Sequence, residues 1–185
     1  MITAENIVKS YHGEQVLKGV SLTVEDGEFV SIMGESGSGK STLLSILGGF
    51  LTPDGGRVLW DGTPLSSLTE ARLSALRSTR LGFVFQFFRL VPTLRVRDNM
   101  LLPATLGGRV GADTEDYLSE LVDRLQLGHL LGKYPTELSG GQCQRVAIVR
   151  ALVYRPETVI QVTHSQAVAA YGRRLIRLSD GEICE

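Results

Sequence analysis

The 185-residue sequence has few cysteines, no long apolar run and almost no net charge. Its two cysteines, Cys143 and Cys184, lie far apart and lack the close spacing of zinc ligands or of a disulfide framework. The formal net charge of −1 disfavours a nucleic-acid binder that relies on a basic face. The most apolar segment, Leu81–Val91, is interrupted by Gln86 and Arg89 and falls short of the about 18 apolar residues of a membrane helix. If the protein acts at a membrane, we expect another chain to supply the span.

The remaining composition is that of a soluble globular protein, with 43% hydrophobic and 21% charged residues. A chain of this length usually forms one domain, so we expect residues 1–185 to fold as a single unit. Short apolar runs at Glu28–Met33, Leu81–Gln86 and Val159–Val162 indicate buried strands, and segments with helical periodicity lie between them. This alternation predicts an α/β fold with a mainly parallel sheet and a helical insert around Pro92–Glu137.

A glycine-rich octapeptide, GESGSGKS at Gly34–Ser41, fits the pattern G-x-x-x-x-G-K-[ST] of a phosphate-binding loop. Glycines allow successive backbone N–H groups to point at phosphate oxygens. Lys40 would place its charge on the β- and γ-phosphates, and the Ser41 hydroxyl would bind Mg²⁺. A flexible glycine turn is the alternative, but the motif follows an apolar strand and precedes a helix, as a phosphate loop does. The predicted phosphate-binding residues are Gly34, Ser36, Gly37, Ser38, Gly39, Lys40, Ser41 and Thr42.

A second motif, LSGGQ at Leu138–Gln142, begins a predicted helix. Ser139 is a good N-cap residue, and Gly140 and Gly141 leave backbone N–H groups open at the helix start, where anions bind. Taken alone, the pentapeptide is most simply a loop and a helix cap. Together with a phosphate loop it is far more specific, because a small-molecule kinase would have the loop but no reason for the pentapeptide.

With both motifs present, the chain resembles the ATP-binding subunits of ABC transporters. The segment Leu138–Leu152 is similar to the family signature L-S-G-G-Q-Q-Q-R-V-A-I-A-R-A-L, from which Cys143 and Val149 depart. Gln86 stands at the position of the family's Q-loop glutamine, and His164 stands at that of its switch histidine. The motifs are most similar to the branch that serves lipoprotein release, macrolide export and antimicrobial-peptide export.

The resemblance implies a P-loop NTPase fold with a mainly parallel sheet, an N-terminal antiparallel β part and a helical subdomain at about residues 88–138. It implies that Tyr11 stacks on the adenine of ATP and that Ser41 and Gln86 contact Mg²⁺. It also implies catalytic roles for Gln86 and for His164, the latter at the γ-phosphate. Tyr11, Gln86 and His164 are otherwise explained as ordinary structural residues near strand ends.

The same resemblance implies partners and a location. The signature residues that would contact ATP held by an opposite subunit are Ser139, Gly140, Gly141 and Gln142. This role requires a head-to-tail dimer, most simply a homodimer, which docks under a membrane-spanning transporter subunit through the region around Gln86–Leu94. Phe87 and Phe88 in that region are either exposed docking residues or core residues. The implied location is the cytoplasmic face of the cell membrane, and no nucleic-acid partner is expected.

One element that the family requires has no counterpart in the sequence. In the family, an acidic Walker B strand supplies a magnesium-binding Asp and a catalytic Glu, and a dimer-contact loop and a helix follow it. Here Glu157 is joined directly to Thr158, so one core strand–helix unit is absent. The other acids near apolar runs are better explained as turn or helix residues: Asp61, Asp123 and Asp180.

The missing unit has a structural and a functional consequence. Loss of an internal strand would leave its neighbours with unpaired backbone groups, each costing about 1–3 kcal/mol when buried. Either the strands Leu81–Gln86 and Val159–Val162 pair with each other, or the domain is marginally stable. Poor or absent ATP hydrolysis is also expected, so the alternative function is an ATP-binding module without turnover. An ABC-type DNA-maintenance protein would need long heptad repeats, zinc-binding cysteines or a basic surface, and the sequence has none of these.

Overall fold

A computed structural model describes residues 1–184 as two sheets with helices packed around them. The strands are β1 (Ile2–Tyr11), β2 (Glu14–Val24), β3 (Phe29–Met33), β4 (Gly55–Trp60), β5 (Thr63–Pro64), β6 (Leu81–Val84), β7 (Thr158–Val162), β8 (Arg174–Ser179) and β9 (Glu182–Cys184). The α-helices are α1 (Lys40–Leu47), α2 (Glu70–Arg80), α3 (Val96–Leu106), α4 (Ala112–Arg124), α5 (Gly140–Leu152) and α6 (Gln166–Ala169). Short 3₁₀ turns span Leu65–Ser67, Gly128–Leu130 and Pro135–Glu137.

The first sheet is antiparallel and has the strand order β2-β1-β4-β5. Its last hairpin turns at Asp61 and Gly62, whose φ angles of 48° and 76° both lie in the left-handed region. Two left-handed residues between paired strands are typical of a tight hairpin. The sequence interpretation of Asp61 as a turn residue is therefore confirmed.

The second sheet has the order β6-β7-β3-β8-β9, in which β6, β7, β3 and β8 run parallel and β9 is antiparallel to β8. The pairing of β6 with β7 runs from Leu81 opposite Thr158 to Val84 opposite Gln161. Direct pairing of these two strands closes the gap that the missing unit would leave. Of the two structural outcomes that the sequence left open, closure of the sheet is the one observed.

Strand β6 is shorter than the sequence predicted. It ends at Val84 rather than at Gln86, because the chain turns at Phe85, whose carbonyl accepts a hydrogen bond from the N–H of Phe88 at 3.0 Å. Phe88 and Arg89 then adopt positive φ angles of 57° and 48°, which a continuing strand does not allow. Gln86 therefore lies on a tight turn beyond the strand.

The junction Glu157–Thr158 is held by contacts on both sides of the peptide bond. The Glu157 carbonyl accepts from the Gly27 N–H at 2.9 Å, and the Val159 N–H donates to the Glu28 carbonyl at 2.9 Å. The Glu157 carboxylate accepts from Nε of Arg80 at 2.7 Å. These contacts fix the start of β7 to the turn that precedes β3.

The apolar core has one main cluster around α1 between the two sheets, a helical cluster and a smaller cluster under α5. Leu118, Leu121 and Val122 are spaced i, i+3 and i+4 on α4 and are buried on one face of the helix, whereas Leu125 follows the helix and is half-buried. Val149, which departs from the family signature, is fully buried in the helical cluster. Within residues 1–184 no helix is both long and apolar enough to cross a membrane.

Candidate nucleotide-binding site

The phosphate-loop motif forms a strand–loop–helix turn, from β3 through residues 34–39 to α1, as the sequence predicted. Gly37 and Gly39 have φ angles of 86° and 94°, which side-chain-bearing residues rarely adopt. A Cβ atom on Gly34 would lie 1.9 Å from the Leu178 carbonyl oxygen, and one on Gly39 would lie 2.8 Å from that of Val16. The loop therefore needs its glycines for backbone shape and for close packing against β8 and β2.

Lys40 is buried inside the loop, with 4% of its surface exposed. Its ammonium group donates to the Glu35 carbonyl and to Ser38 Oγ, the latter at 3.3 Å. Burial lowers the pKa of Lys40. A desolvated ammonium held only by neutral oxygens is poised to bind an anion, because an anion compensates the lost hydration.

The other loop residues divide into buried and accessible groups. Ser38 is 5% exposed and holds Lys40, whereas Ser36, Gly37 and Ser41 face solvent. No side chain caps α1, because its N-cap is Gly39, so the first backbone N–H groups of the helix are open to a ligand. The accessible hydroxyl of Ser41, at the second position of the helix turn, is a hard oxygen ligand of the kind that Mg²⁺ prefers.

His164 and Gln86 lie at the same edge of the parallel sheet as the phosphate loop. Strand β7 is hydrogen-bonded between β6 and β3, and the three strands run parallel. At their carboxyl ends β6 leads to Gln86, β7 leads to His164, and β3 leads to the phosphate loop. His164 is exposed and Gln86 is half-buried. Ligands of parallel α/β sheets bind outside the carboxyl ends of the strands, so this arrangement is the expected one for a nucleotide site.

Tyr11 ends β1 and leaves 43% of its surface exposed. Lys9 Nζ lies 5.9 Å from the centre of the Tyr11 ring. The following strand, β2, contacts the phosphate loop, because Val16 and Leu17 line the space beside Gly39. The hairpin thus presents an open aromatic face near the loop, where a base could stack.

The signature residues form the N-terminal cap of α5. Ser139 Oγ accepts from the Gln142 N–H at 3.4 Å, and Gln142 Oε1 accepts from the Ser139 N–H at 2.8 Å. This reciprocal capping box confirms the predicted cap, and it leaves Gly140 and Gly141 exposed. The contacts of Ser139, Gly140, Gly141 and Gln142 with a nucleotide stay a prediction, as do those of the loop residues, Tyr11, Gln86 and His164.

No acidic residue replaces the missing Walker B pair in the part of the chain that the structure describes. Glu157 precedes β7 and is ion-paired with Arg80, at the end of the sheet opposite the phosphate loop. Asp61 and Asp180 lie in turns with positive φ, and Asp123 lies on α4. Residues 1–184 contain no group of three or more His, Cys, Asp or Glu side chains that could hold a metal ion.

The sequence interpretation missed two polar residues next to the site, Ser31 in β3 and Gln161 in β7. Both are fully buried and are hydrogen-bonded to each other. The available signal was a polar residue inside each of two apolar runs, FVSIM and TVIQV. That pattern indicates a buried polar group, but it does not identify the partner.

Comparison with known proteins identifies the family. A family model described as ABC transporter matches residues 17–161. The macrolide export ATP-binding/permease protein MacB of Brucella melitensis is 38% identical over 218 residues, covering 99% of this chain and 34% of that protein. The lipoprotein-releasing system ATP-binding protein LolD of Aquifex aeolicus is 37% identical over 214 residues, covering 99% of this chain and 96% of that protein. The chain thus spans about a third of the macrolide exporter and nearly all of the lipoprotein-release subunit.

A solved structure gives the same result for the fold. A dimeric ATP-binding cassette in a post-hydrolysis state, bound to ADP and phosphate, superposes with a TM-score of 0.83 at 35% identity. The match covers all of this chain and 97% of that one.

The length of the sequence matches bears on the missing unit. Both matched stretches, of 218 and 214 residues, are longer than the 185-residue chain. These relatives therefore have residues within the matched stretch that have no counterpart here, as expected if a strand–helix unit is absent. The phosphate loop, the capped signature helix and these matches together establish that the chain belongs to the ABC transporter family, as one of its ATP-binding cassettes.

Proposed function

We propose that this chain binds Mg-ATP and serves as the ATP-binding subunit of an export or lipoprotein-release transporter. The observation that carries the proposal is the buried ammonium of Lys40 inside a loop whose accessible groups include backbone N–H donors and the hydroxyls of Ser36 and Ser41. Such a loop fits a polyphosphate, which accepts from the N–H groups and neutralises the lysine. The two relatives named above, a macrolide exporter and a lipoprotein-release subunit, support the transport assignment.

The residues present fit only part of a magnesium site. The Ser41 hydroxyl and the Gln86 amide oxygen are suitable ligands and would hold the ion together with the nucleotide. Bound magnesium would neutralise part of the phosphate charge. Glu157, the acid that precedes β7, lies at the other end of that strand and pairs with Arg80, so β7 brings no carboxylate to the loop edge to orient a water molecule or accept its proton. We therefore propose that this chain binds ATP with little or no hydrolysis.

A head-to-tail homodimer fits the positions of the two motifs. The phosphate loop follows β3 in the sheet, whereas the signature caps α5 over the helical cluster. The exposed backbone of Gly140 and Gly141 is then available to a nucleotide held by a second copy. The dimeric assembly of the solved cassette described above supports this arrangement.

The docking site for a membrane-spanning subunit that we propose is a groove of about 670 Å³ between β6, α2 and α3. The groove contains the aromatic residues Phe50, Phe83 and Phe85, with the guanidinium of Arg89 3.9 Å from the Phe85 ring centre. The neighbouring Phe87 is 80% exposed, as expected of a docking residue. Phe88, in contrast, is half-buried and packs against the cluster under α5.

The direct test is nucleotide binding by calorimetry. Wild-type protein should bind ATP, and Lys40→Ala should weaken binding by about 100-fold, because the phosphates lose a charge-assisted partner. Lys133→Ala, which removes an exposed lysine outside the loop, is the matched control. Equal affinity of the wild type and of Lys40→Ala would refute nucleotide binding by this loop.

The dimer has a separate test, disulfide crosslinking between Ser139→Cys and Ser36→Cys, a solvent-facing position of the phosphate loop, in protein whose Cys143 and Cys184 have been replaced. In the presence of ATP, the head-to-tail model predicts a covalent dimer. Only intramolecular crosslinks would refute it.

A further inference from the structure

Two buried polar side chains connect the strand that leads into the phosphate loop with the strand that leads into the switch histidine. Ser31 lies in the middle of β3, and Gln161 is its paired neighbour in β7; both are 0% exposed. Gln161 Nε2 donates to Ser31 Oγ at 2.6 Å and to the Val168 carbonyl at 2.9 Å. Ser31 Oγ in turn donates to the Ala169 carbonyl at 2.9 Å. These four residues are called the polar cluster below.

The orientation of the Gln161 amide is fixed by its partners. Both Nε2 protons are used, whereas Oε1 is buried and has no hydrogen-bond partner among the described residues. A flipped amide would bring Oε1 against the Val168 carbonyl, which is also an acceptor. An unpaired buried acceptor destabilises a fold, so an apolar residue of similar size would give a fold at least as stable. We therefore look for the role of the amide in the two groups to which it donates.

Those donors hold α6 against β3. The Val168 and Ala169 carbonyls lie at the end of this short helix, and the chain that follows passes directly over the Ser31 side chain. A Cβ atom on Gly172 would be 2.2 Å from Ser31 Oγ and 3.0 Å from the Phe29 carbonyl oxygen. Only glycine fits there, so α6 and its exit are in close contact with the strand that enters the phosphate loop.

His164 lies between two attachment points on β3. On its amino side, the Thr163 N–H donates to the Ile32 carbonyl at 3.1 Å, and Thr163 Oγ1 accepts from the Ser165 N–H at 3.1 Å. On its carboxyl side, Ser165 caps α6, which the polar cluster attaches to Ser31. The histidine itself is exposed. Its backbone is thus attached to β3, the strand that leads into the phosphate loop, on both its amino and its carboxyl side.

We propose that Gln161 and Ser31 are positioning residues, which act through α6 to hold His164 at the distance from the phosphate loop that a γ-phosphate requires. The inference rests on the proposed function, in which the loop binds ATP and His164 contacts the γ-phosphate. It predicts that the polar cluster affects recognition of the third phosphate and leaves recognition of a diphosphate unchanged.

The test compares the affinities for ADP and for the β,γ-imido analogue of ATP, with Mg²⁺, by calorimetry. Gln161→Met keeps the side-chain length and removes both donors. It should lower affinity for the triphosphate analogue about three- to tenfold, as expected when a hydrogen bond to a charged group is weakened, and change ADP affinity less than about twofold. His164→Ala should show the same selective loss, and the double variant should lose no more than His164→Ala alone. Ser31→Ala removes the hydroxyl that bonds Gln161 and the Ala169 carbonyl. It allows the same comparison of affinities if Gln161→Met folds poorly.

Thr158→Val is the matched control, because it removes a buried polar group from β7, the strand that carries Gln161, at the end away from His164. A selective loss in this control as large as that in Gln161→Met would overturn the inference, as would an unchanged ratio of the two affinities in both cluster variants. An unchanged ratio in His164→Ala would overturn it as well, since His164 would then not contact the third phosphate. Failure of the wild type to bind either nucleotide would instead overturn the proposed function.

Discussion

The two ends of strand β7 differ in how many of their polar groups are already bonded within the protein. At its carboxyl end it meets the phosphate-loop edge, where His164 and Ser41 are exposed and available to a ligand. At its amino end it carries the Glu157–Thr158 junction, where the side chain and backbone of Glu157 are engaged by Arg80 and Gly27. One end has open functional groups, and the other is held by structural contacts.

The difference between the two ends shows that a parallel α/β sheet can lose a whole strand–helix unit and keep its topology. In a parallel sheet each strand–helix unit begins and ends at the same edge, so removal of one unit leaves the next strand running in the same direction. Strands β6 and β7 therefore pair in parallel without any change of topology. The pairing supplies no acidic residue at the carboxyl end of β7, so it does not restore the carboxylates that the resemblance implies for that missing strand.

The largest expected effect follows from this contrast between a retained fold and lost chemistry. Wild-type protein should release phosphate from ATP at about the background rate. Insertion of the corresponding strand–loop–helix segment of the Aquifex aeolicus relative between Glu157 and Thr158 should raise magnesium-dependent release at least about 100-fold, since a general base alone contributes that much. The measurement is steady-state phosphate release, with Lys40→Ala in the grafted protein as the control.

Rapid turnover by the ungrafted 185-residue chain, abolished by Lys40→Ala, would contradict this expectation. It would mean that some group at the loop edge replaces the missing acids.

The next effect concerns the close packing at the carboxyl end of the sheet. Gly34→Ala should reduce ATP affinity about tenfold or more, because its Cβ atom would overlap the Leu178 carbonyl and displace the loop. Gly111→Ala is the matched control, since it meets no atom within 4 Å and has an extended backbone. If both variants bind ATP as the wild type does, the loop tolerates more movement than its packing indicates.

Some features of the fold and of the site could be predicted from the sequence, and others could not. The phosphate loop, the Ser139 cap and the hairpin turn at Asp61 follow from short-range rules, in which a few adjacent residues fix the backbone. Pairing of β6 with β7 was one of two outcomes left open, because strand pairing depends on contacts distant in sequence. The polar cluster around Gln161 was missed for the same reason, since its partners are 130 and 7 residues away.

A smaller effect is expected at the junction itself. Arg80 contacts Glu157, Asp61 and Asp26, and its side chain is 24% exposed. Arg80→Ala should lower the free energy of unfolding by about 1 kcal/mol, the upper range for pairs near the surface, and lower Tm by about 2–4 °C. It should leave ATP affinity unchanged, because the junction lies at the far end of β7.

The matched control for that variant is Arg124→Ala, which breaks a single exposed pair with Glu120 and should change Tm less. A loss of ATP affinity in Arg80→Ala without a loss of stability would show that the two ends of β7 are coupled.

The smallest expected effect is the pH dependence of the junction. Hydrogen bonds from Arg80, and then from the amino group of Met1, lower the pKa of Asp61 below its usual value. A carboxylate whose pKa is lower in the folded than in the unfolded state contributes stability above its unfolded pKa, about 3.9, and loses it as pH falls through the folded pKa. The difference in Tm between wild type and Arg80→Ala should therefore be constant from pH 7 to about pH 5 and shrink below about pH 4. A difference that grew as the pH fell would show that Asp61 is not the partner through which Arg80 stabilises the junction.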